Sequence, residues 1–136
     1  MSKTFKLEVV TPFGVFHDDD VTFISFKAVT GEMGVLAGHT PMLVAIKPGT
    51  LVIEKGKDKK NAFISEGFVN ITNEKVSVDV DFAGWADKLN TEKIIRDQRI
   101  AEEELQNKNL DTEKITELKA SIERSKAALI TSSIRD

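Results

Sequence analysis

The sequence predicts an α+β protein in two parts: an N-terminal antiparallel β-sandwich over residues 1–86 and a C-terminal antiparallel two-helix hairpin over residues 87–136. All eight Phe and all eight Gly lie in the first part, where a packed β core and its tight turns need them. From residue 88 onward there is no Gly, Pro, Phe or Trp, and good helix formers dominate. This change of composition predicts the boundary near residue 86.

The first part contains short stretches in which apolar and polar residues alternate, the period expected of a half-buried strand. A first strand is predicted around Phe5–Val9, and a second from Val21 to Val29 after an acidic turn at residues 18–20. The remaining strands are expected at Leu51–Glu54, Ala62–Ile64, Val69–Ile71 and Val76–Val80. Gly, Asn and Asp between them mark turns, which favours an antiparallel sandwich or barrel.

The second part predicts two helices, at about residues 91–107 and 112–132, separated by turn-type residues. Asp111 is placed to cap the second helix, and Asn90 or Thr91 the first, by accepting hydrogen bonds from free amide groups of the first turn. The short connection between the helices favours an antiparallel hairpin.

The apolar stripe on each predicted helix is narrow. Residues at three- and four-residue spacing form it: Ile94, Ala101 and Leu105 in the first helix, and Ile115, Leu118, Ile122 and Leu129 in the second. Burial of so few side chains, at about 1.5–3 kcal/mol each, barely offsets the entropy lost on ordering. The hairpin is therefore either a weakly held surface appendage or an element with two packings of similar free energy.

The residues that enzymes and metal sites need are scarce. The chain has no Cys and no Tyr, and its two histidines, His17 and His39, do not stand at metal-ligand spacing. The run Asp18–Asp20 lacks the ligand pattern of a calcium loop, and the Gly-rich stretch at residues 31–38 lacks the Lys-Ser/Thr of a phosphate-binding loop. We therefore expect no catalytic residues, no metal site and no enzymatic activity of the chain alone.

Charge and hydropathy limit the expected partners and location. The formal net charge is −3, which argues against nucleic acid binding. No apolar run approaches the roughly 20 residues of a membrane span, so direct membrane insertion is not expected. The first residues lead directly into a strand pattern, without the features of a secretory signal or a transit peptide, and a soluble protein of a reducing compartment is expected.

One stretch, Thr30–Leu43, carries three Gly, a His and a Pro in fourteen residues and is expected to form an unusual loop. It resembles the signature loop of the ATP synthase epsilon family, in which a Pro is common at the position of Ala37 and a later signature has Gly in place of Glu66. Other stretches are similar to further family signatures: Val9–Pro12, Ile46–Gly49 and Ser65–Phe68. A generic protein-binding sandwich with a helical tail is the alternative, but it has no reason to carry this loop.

The resemblance implies a non-catalytic subunit of the central stalk, with a ten-stranded sandwich that binds the gamma subunit and rests on the ring of c subunits. At matching positions it places His39, Thr40, Pro41 and Met42 toward gamma, and Glu32 and Met33, at the loop tip, toward the c-ring. Without the family, Glu32 is an exposed loop carboxylate, His39 satisfies a loop carbonyl and Met42 is a core side chain. The implied location is peripheral, at the cytoplasmic face of a bacterial cell membrane.

Some bacterial members of this family bind ATP through an aliphatic-Asp-x-x-Arg-Ala motif in the first helix. The matching positions here are Leu89, Asn90, Lys93 and Ile94. Loss of the carboxylate and of the planar guanidinium weakens such a site. The resemblance therefore implies weak or absent ATP binding and no required cofactor. A nucleotide-sensing regulator is the alternative function that this degraded motif argues against.

The resemblance also implies a role for the helical tail. Folded against the sandwich, the hairpin is silent. Extended along gamma, its second helix reaches an acidic segment of a catalytic beta subunit, contacts beta and alpha transiently, and blocks rotation in the direction of ATP hydrolysis. Lys119, Arg124 and Lys126 are the candidates for this contact, although cations late in a helix also complement its dipole.

Overall fold

The computed structural model describes residues 3–134, so the first two and the last two residues of the predicted domains lie outside it. Ten strands are followed by a short 3₁₀ helix at Ala86–Lys88 and by two α-helices, which confirms the predicted fold class. The strands are β1 Phe5–Thr11, β2 Gly14–Val21, β3 Phe23–Ala28, β4 Gly31–Leu36, β5 Met42–Ile46, β6 Gly49–Lys55, β7 Asp58–Ile64, β8 Gly67–Ile71, β9 Lys75–Val80 and β10 Ala83–Trp85; the helices are α1 Thr91–Leu105 and α2 Thr112–Ser132.

All the strands belong to one sheet that curls into a nearly closed sandwich. Along the hydrogen-bonded order they follow as β10-β7-β6-β3-β5-β8-β9-β1-β2, and β4 pairs with β3 outside this path. The pairs are antiparallel except β1 with β9, which run parallel, with Leu7 opposite Val76 and Val9 opposite Val78. The sequence does not predict this parallel pair, because the alternation of apolar and polar residues is the same for both strand directions.

The core lies between the two layers of the curled sheet. Its apolar side chains come from alternating positions of the strands, as the period of two requires. The largest fully buried side chains include Phe26, Leu7, Ile24, Leu51, Ile64 and Ile71. Because these side chains are close-packed, the core holds the turns at both ends of the sandwich in fixed relative positions.

The acidic run at residues 18–20 lies in strand β2 and not in the predicted turn. Backbone pairing with β1 continues through it, with Glu8 opposite Asp18. Lys55 Nζ lies 2.9 Å from Asp19 Oδ2, and the hydrogen bonds from Lys55 lower the pKa of the Asp19 carboxyl. The prediction of a turn was wrong because an edge strand accommodates charged side chains that face solvent.

Aromatic side chains close the sandwich where β2 and β10, the two ends of the strand order, approach each other. The ring centroids of Phe16 and Trp85 lie 4.6 Å apart, and the His17 ring packs edge-on to Trp85 at 6.0 Å. Lys60 Nζ lies 5.3 Å from the centroid of the same Trp ring. Burial lowers the pKa of His17, so this seam favours the neutral imidazole.

The two helices form the predicted hairpin, and their N-termini carry predicted caps. Asn90 Oδ1 accepts from the Lys93 amide at 3.1 Å, and Asp111 Oδ1 accepts from the Lys114 amide at 2.8 Å. α1 ends at Leu105, slightly before its predicted end. Within residues 3–134, neither helix is long and apolar enough to cross a membrane.

The hairpin has two packing faces. Ala101 of α1 and the α2 residues Leu118 and Ile122 form a small buried cluster between the helices. Ala128 and Thr131 are buried further along α2, where this helix packs on β6 and β7. The second helix therefore contacts α1 with its first half and the sandwich with its second half.

Candidate functional site

The predicted signature loop contains a strand. Residues 31–36 form β4, which pairs antiparallel with β3 and places Lys27 opposite Glu32 and Phe26 opposite Met33. The turn itself is at residues 29 and 30, and Gly31 follows it with a φ of 133°. Glu32 is exposed, whereas Met33 is partly buried against the core. The prediction that both lie at a loop tip is wrong, because pairing with β3 satisfies the backbone here.

The connection from β4 to β5 and the first residue of β5 carry the residues predicted to lie toward gamma, His39 to Met42. His39 Nδ1 donates to the Thr40 carbonyl at 2.7 Å, and the His39 amide donates to the Leu36 carbonyl at 3.2 Å. The His39 ring therefore satisfies a loop carbonyl, as in the family-independent alternative. Thr40 and Pro41 are exposed, and Met42 is 43% exposed, so Met42 is not a core side chain.

An apolar patch on the outward face of β5 and β8 continues from this connection. Leu43 and Ala45 face the same side of β5, and Ala45 lies opposite Phe68 of β8. Leu43 is 66% exposed and Phe68 is 53% exposed. The sequence analysis did not predict this β5–β8 patch. A signal was available, because Phe68 is out of phase with the buried Val69 and Ile71 and therefore belongs to the outward face of β8.

Glu32 and His39 lie toward opposite ends of β4, so the two predicted groups form separate surfaces. The β3–β4 turn precedes Glu32, whereas His39 follows the other end of the strand, where Leu36 pairs with Phe23. Four strand steps separate Glu32 from Leu36, which corresponds to about 13 Å along β4. A partner at one surface leaves the other surface open to a second partner.

A second exposed turn lies at the same end of the sandwich as the β3–β4 turn. The register from β3 through β5 and β8 to β9 aligns Ala28, Ile46, Gly67 and Val80. β1 runs parallel to β9, so the β1–β2 turn also belongs to this end. Phe13 in that turn is 91% exposed, and Val29 in the β3–β4 turn is 53% exposed. This end therefore offers Glu32 together with two apolar side chains.

A cleft of about 430 Å³ lies between the hairpin and the sandwich. Its lining includes the four ATP-motif positions and residues from the sandwich and α2: Leu89, Asn90, Lys93, Ile94, Phe63, Phe82 and Arg124. Asn90 Oδ1 is engaged as the cap of α1, and Lys93 Nζ lies 3.6 Å from Asp97. The fold brings the motif positions together, but two of them have partners within the chain. Residues 3–134 contain no cluster of His, Cys, Asp and Glu suited to a metal ion.

The three basic residues predicted for the inhibitory contact do not form one surface. Lys119 and Lys126 are exposed, lie on one face of α2 and line a shallow groove between the helices. Arg124 points about 140° around the helix from Lys119. It faces the sandwich, where its Nη1 donates to Glu66 Oε2 at 3.1 Å. The sequence marked Glu66 as a departure from the family pattern but did not predict this partner.

Comparison with known proteins extends over most of the chain. A family model described as "ATP synthase, Delta/Epsilon chain, beta-sandwich domain" matches residues 4–86. The ATP synthase epsilon chain of Caldanaerobacter subterraneus subsp. tengcongensis is 36% identical over 116 residues, or 85% of this chain and 84% of that relative. The chain belongs to the ATP synthase epsilon family. Another epsilon chain, from Bacillus velezensis, is 30% identical over 111 residues, or 82% of this chain and 84% of the relative.

Solved structures similar to this epsilon-family chain also come from ATP synthases. A chain in the cryo-EM structure of the Euglena gracilis mitochondrial ATP synthase, OSCP/F1/c-ring in rotational state 1, aligns with a TM-score of 0.79 at 23% identity, covering 93% of this chain and 80% of that one. A chain in the Tetrahymena thermophila mitochondrial ATP synthase central stalk/c-ring aligns with a TM-score of 0.65 at 14% identity, covering 97% and 98%. These matches show a shared fold.

Proposed function

We propose that this epsilon-family chain is a non-catalytic rotor subunit of an ATP synthase. It couples the gamma subunit to the c-ring, and it inhibits ATP hydrolysis when its hairpin leaves the sandwich. The observation that carries the proposal is the presence of two exposed surfaces toward opposite ends of β4. The similar solved structures are an F1/c-ring assembly and a central stalk/c-ring assembly, which supports a position between these two partners.

The gamma subunit is assigned to the surface formed by residues 39–42 and the β5–β8 patch. Leu43 and Phe68 are largely exposed in the isolated chain, and burial of each such side chain contributes about 1.5–3 kcal/mol. The hydrogen bond from His39 to the Thr40 carbonyl orders the loop before binding, which lowers the entropy lost on association.

The c-ring is assigned to the other surface, which carries Glu32, Met33 and the exposed turn residues Phe13 and Val29. Glu32 provides a charged contact, and the two turn residues provide apolar area. Because both surfaces belong to one close-packed sandwich, the sandwich acts as a rigid spacer that transmits rotation. We place the assembled subunit peripherally, at the cytoplasmic face of a bacterial membrane.

The hairpin is the proposed brake. It contacts the sandwich through the small side chains Ala128 and Thr131, through a hydrogen bond of 2.7 Å between the Thr131 and Thr50 hydroxyls, and through the Glu66–Arg124 ion pair. Small side chains and a half-exposed ion pair stabilise docking modestly. After release, Lys119 and Lys126 on one face of α2 and Arg124 on another contact an acidic segment of a catalytic beta subunit, with transient contact to alpha, and block rotation.

The proposal is tested by ATP hydrolysis in a reconstituted catalytic sector that contains gamma. Rates are compared without the chain, with the full chain, and with a chain truncated after Asp87. We expect both forms to bind gamma and only the full chain to slow hydrolysis. Failure of both forms to bind gamma would contradict the coupling role. Equal inhibition by both forms, or by neither, would contradict the helical brake.

A double variant tests the assignment of the β5–β8 patch to gamma. Leu43→Ser with Phe68→Ser should weaken gamma binding by about tenfold or more, because two exposed apolar contacts are lost. Phe13→Ser is the matched control, since it removes an exposed Phe of the β1–β2 turn, outside the β5–β8 patch, and should leave gamma affinity unchanged. Titration of gamma with labelled chain measures both. Unchanged affinity in the double variant would place gamma elsewhere.

A further inference from the structure

An ion pair joins the turn before β8 to the middle of α2. Arg124 Nη1 donates to Glu66 Oε2 at 3.1 Å, and the two side chains are 38% and 41% exposed. Glu66 Oε1 is buried and has no hydrogen-bond partner within the described part of the chain. The carboxylate thus has one charged donor on Oε2 and an unsatisfied buried Oε1, so the contact is a weak one.

The sandwich backbone fixes the position of Glu66. The Ser65 amide donates to the Phe82 carbonyl at 3.0 Å, and the Ser65 hydroxyl accepts from the Phe82 amide at 3.0 Å. On the other side, a Cβ on Gly67 would overlap the carbonyl oxygen of Asp79, so only Gly fits there. Glu66 thus stands on a turn that is anchored at both ends and keeps its place whether or not the hairpin is docked.

We propose that Glu66 is an intramolecular competitor for Arg124: the ion pair holds α2 on the sandwich and withholds this guanidinium from an acidic partner. The consequence for inhibition rests on the proposed brake. While α2 is docked, Glu66 occupies Nη1 of Arg124 and holds this side chain at the sandwich, so a partner carboxylate has to compete with Glu66 for it. Lys119 and Lys126 stay exposed in the docked hairpin. An acidic segment can therefore contact these lysines first and then displace Glu66 from Arg124.

In the docked state Glu66 is the carboxylate that pairs with Arg124, because the other carboxylate in the cleft lies beside a different cation. Asp97 of α1 lines the same cleft, but it lies 3.6 Å from Lys93. The Glu66–Arg124 pair is half-exposed, so salt screens it and its contribution is small. We expect its removal to change the ratio of docked to released hairpins by about two- to fivefold.

Docking can be measured with an engineered disulfide, because the chain has no cysteine of its own. The Thr50 and Thr131 hydroxyl oxygens lie 2.7 Å apart, which suits the pair Thr50→Cys with Thr131→Cys. In a glutathione buffer, the equilibrium fraction of this disulfide reports the docked population. On this background, Glu66→Gln should lower the disulfide equilibrium constant by about two- to fivefold. Glu8→Gln is the matched control, because its ion pair with Lys75 lies within the sandwich.

A variant with the two charges exchanged tests whether the ion pair itself, and not the net charge of the chain, determines the disulfide equilibrium. Glu66→Arg combined with Arg124→Glu should restore the disulfide equilibrium toward that of the unaltered pair. Addition of about 0.5 M salt should reduce the difference caused by Glu66→Gln, since screening already weakens the pair. Equal equilibria for Glu66→Gln and Glu8→Gln, or no recovery in the exchanged variant, would overturn the inference.

Hydrolysis assays distinguish this inference from the proposed brake. The oxidised Cys pair should abolish inhibition, reduction should restore it, and Glu66→Gln should inhibit more strongly than Glu8→Gln at equal chain concentration. If the oxidised chain still inhibits, the brake is wrong, while the disulfide equilibrium still decides whether Glu66 holds Arg124. If oxidation abolishes inhibition but Glu66→Gln and Glu8→Gln inhibit equally, the brake stands and the competition is overturned.

Discussion

The sandwich core contains sixteen buried apolar side chains among residues 3–134, whereas the cluster between the two helices contains three. Since apolar burial is the main stabilising term in folding, the two regions differ in how firmly they are held. We expect the hairpin to separate from the sandwich, and its helices from each other, at a free energy below that of global unfolding. One chain thus combines a large close-packed core with a thinly packed hairpin.

The largest effect is expected in the sandwich core. Phe26 is fully buried, so Phe26→Ala should lower the free energy of unfolding by about 3–5 kcal/mol through lost burial and a residual cavity. Urea denaturation followed by Trp85 fluorescence measures this change, because Trp85 packs on Phe16 in the sandwich. The control Phe13→Ala alters a 91% exposed side chain and should change stability by less than about 0.5 kcal/mol. Similar losses in both variants would contradict the assigned core.

A smaller and local effect is expected in the hairpin. Ile122→Ala should destabilise the contact between the helices by about 2 kcal/mol, and amides of α1 and α2 should exchange faster while those of the strands keep their rates. Hydrogen exchange with mass spectrometry measures both regions at once. Ile130→Ala, at a 65% exposed position of the same helix, is the control. Faster exchange in the strands as well would show that the two regions open as one unit.

The cleft between the two regions is expected to bind ATP weakly or not at all. Asn90→Asp with Lys93→Arg restores the carboxylate and the planar guanidinium of the family motif, and Asp keeps an oxygen that caps α1. We expect this double variant to bind ATP about tenfold more tightly, the value of one added charge-assisted hydrogen bond. Calorimetric titration measures the ATP affinity. The control variant is Asn109→Asp with Lys108→Arg, which makes the same two changes outside the cleft. Tight binding by the unaltered chain would refute the expectation.

The smallest effect is expected from His17 in the aromatic seam. Burial lowers the pKa of His17, with Lys60 adding to the shift and Asp19 and Asp18 opposing it. The resulting stabilisation is fully present above the unfolded pKa of about 6.5 and is lost as the pH falls through the lower folded pKa. His17→Gln should therefore gain stability relative to the unaltered chain between pH 7 and pH 5, as measured by urea denaturation. Parallel pH profiles would show that His17 is not linked to folding.

Local signals in the sequence predicted much of the architecture. Alternation of apolar and polar residues marks strands, and loss of Gly and Phe marks the helical part. The caps at Asn90 and Asp111 are also local, because each side chain bonds an amide three residues later. Such signals require no knowledge of which segments meet in space.

Features that depend on distant neighbours could not be predicted. β2 and β4 have acidic and Gly-rich sequences that are typical of turns, yet they form strands because β1 and β3 supply backbone partners. Leu129 of the predicted helical stripe is only half-buried, whereas Ala128 and Thr131 are buried, since the sandwich sets that face of α2. Glu66 and Arg124 stand 58 residues apart, and only the packing of α2 brings them together.

The parallel pairing of β1 with β9 bears on the synthesis of the chain. Lys6 lies opposite Lys75, so β1 leaves the ribosome well before its parallel partner β9. At about 5–20 residues per second, β1 waits for several seconds with an unpaired edge. During that interval both edges of the β1–β2 hairpin are open to a neighbouring chain, and the carboxylates of Asp18–Asp20 oppose such pairing at the β2 edge. We therefore expect the acidic strand β2 to lower the tendency of the newly made hairpin to pair with other chains.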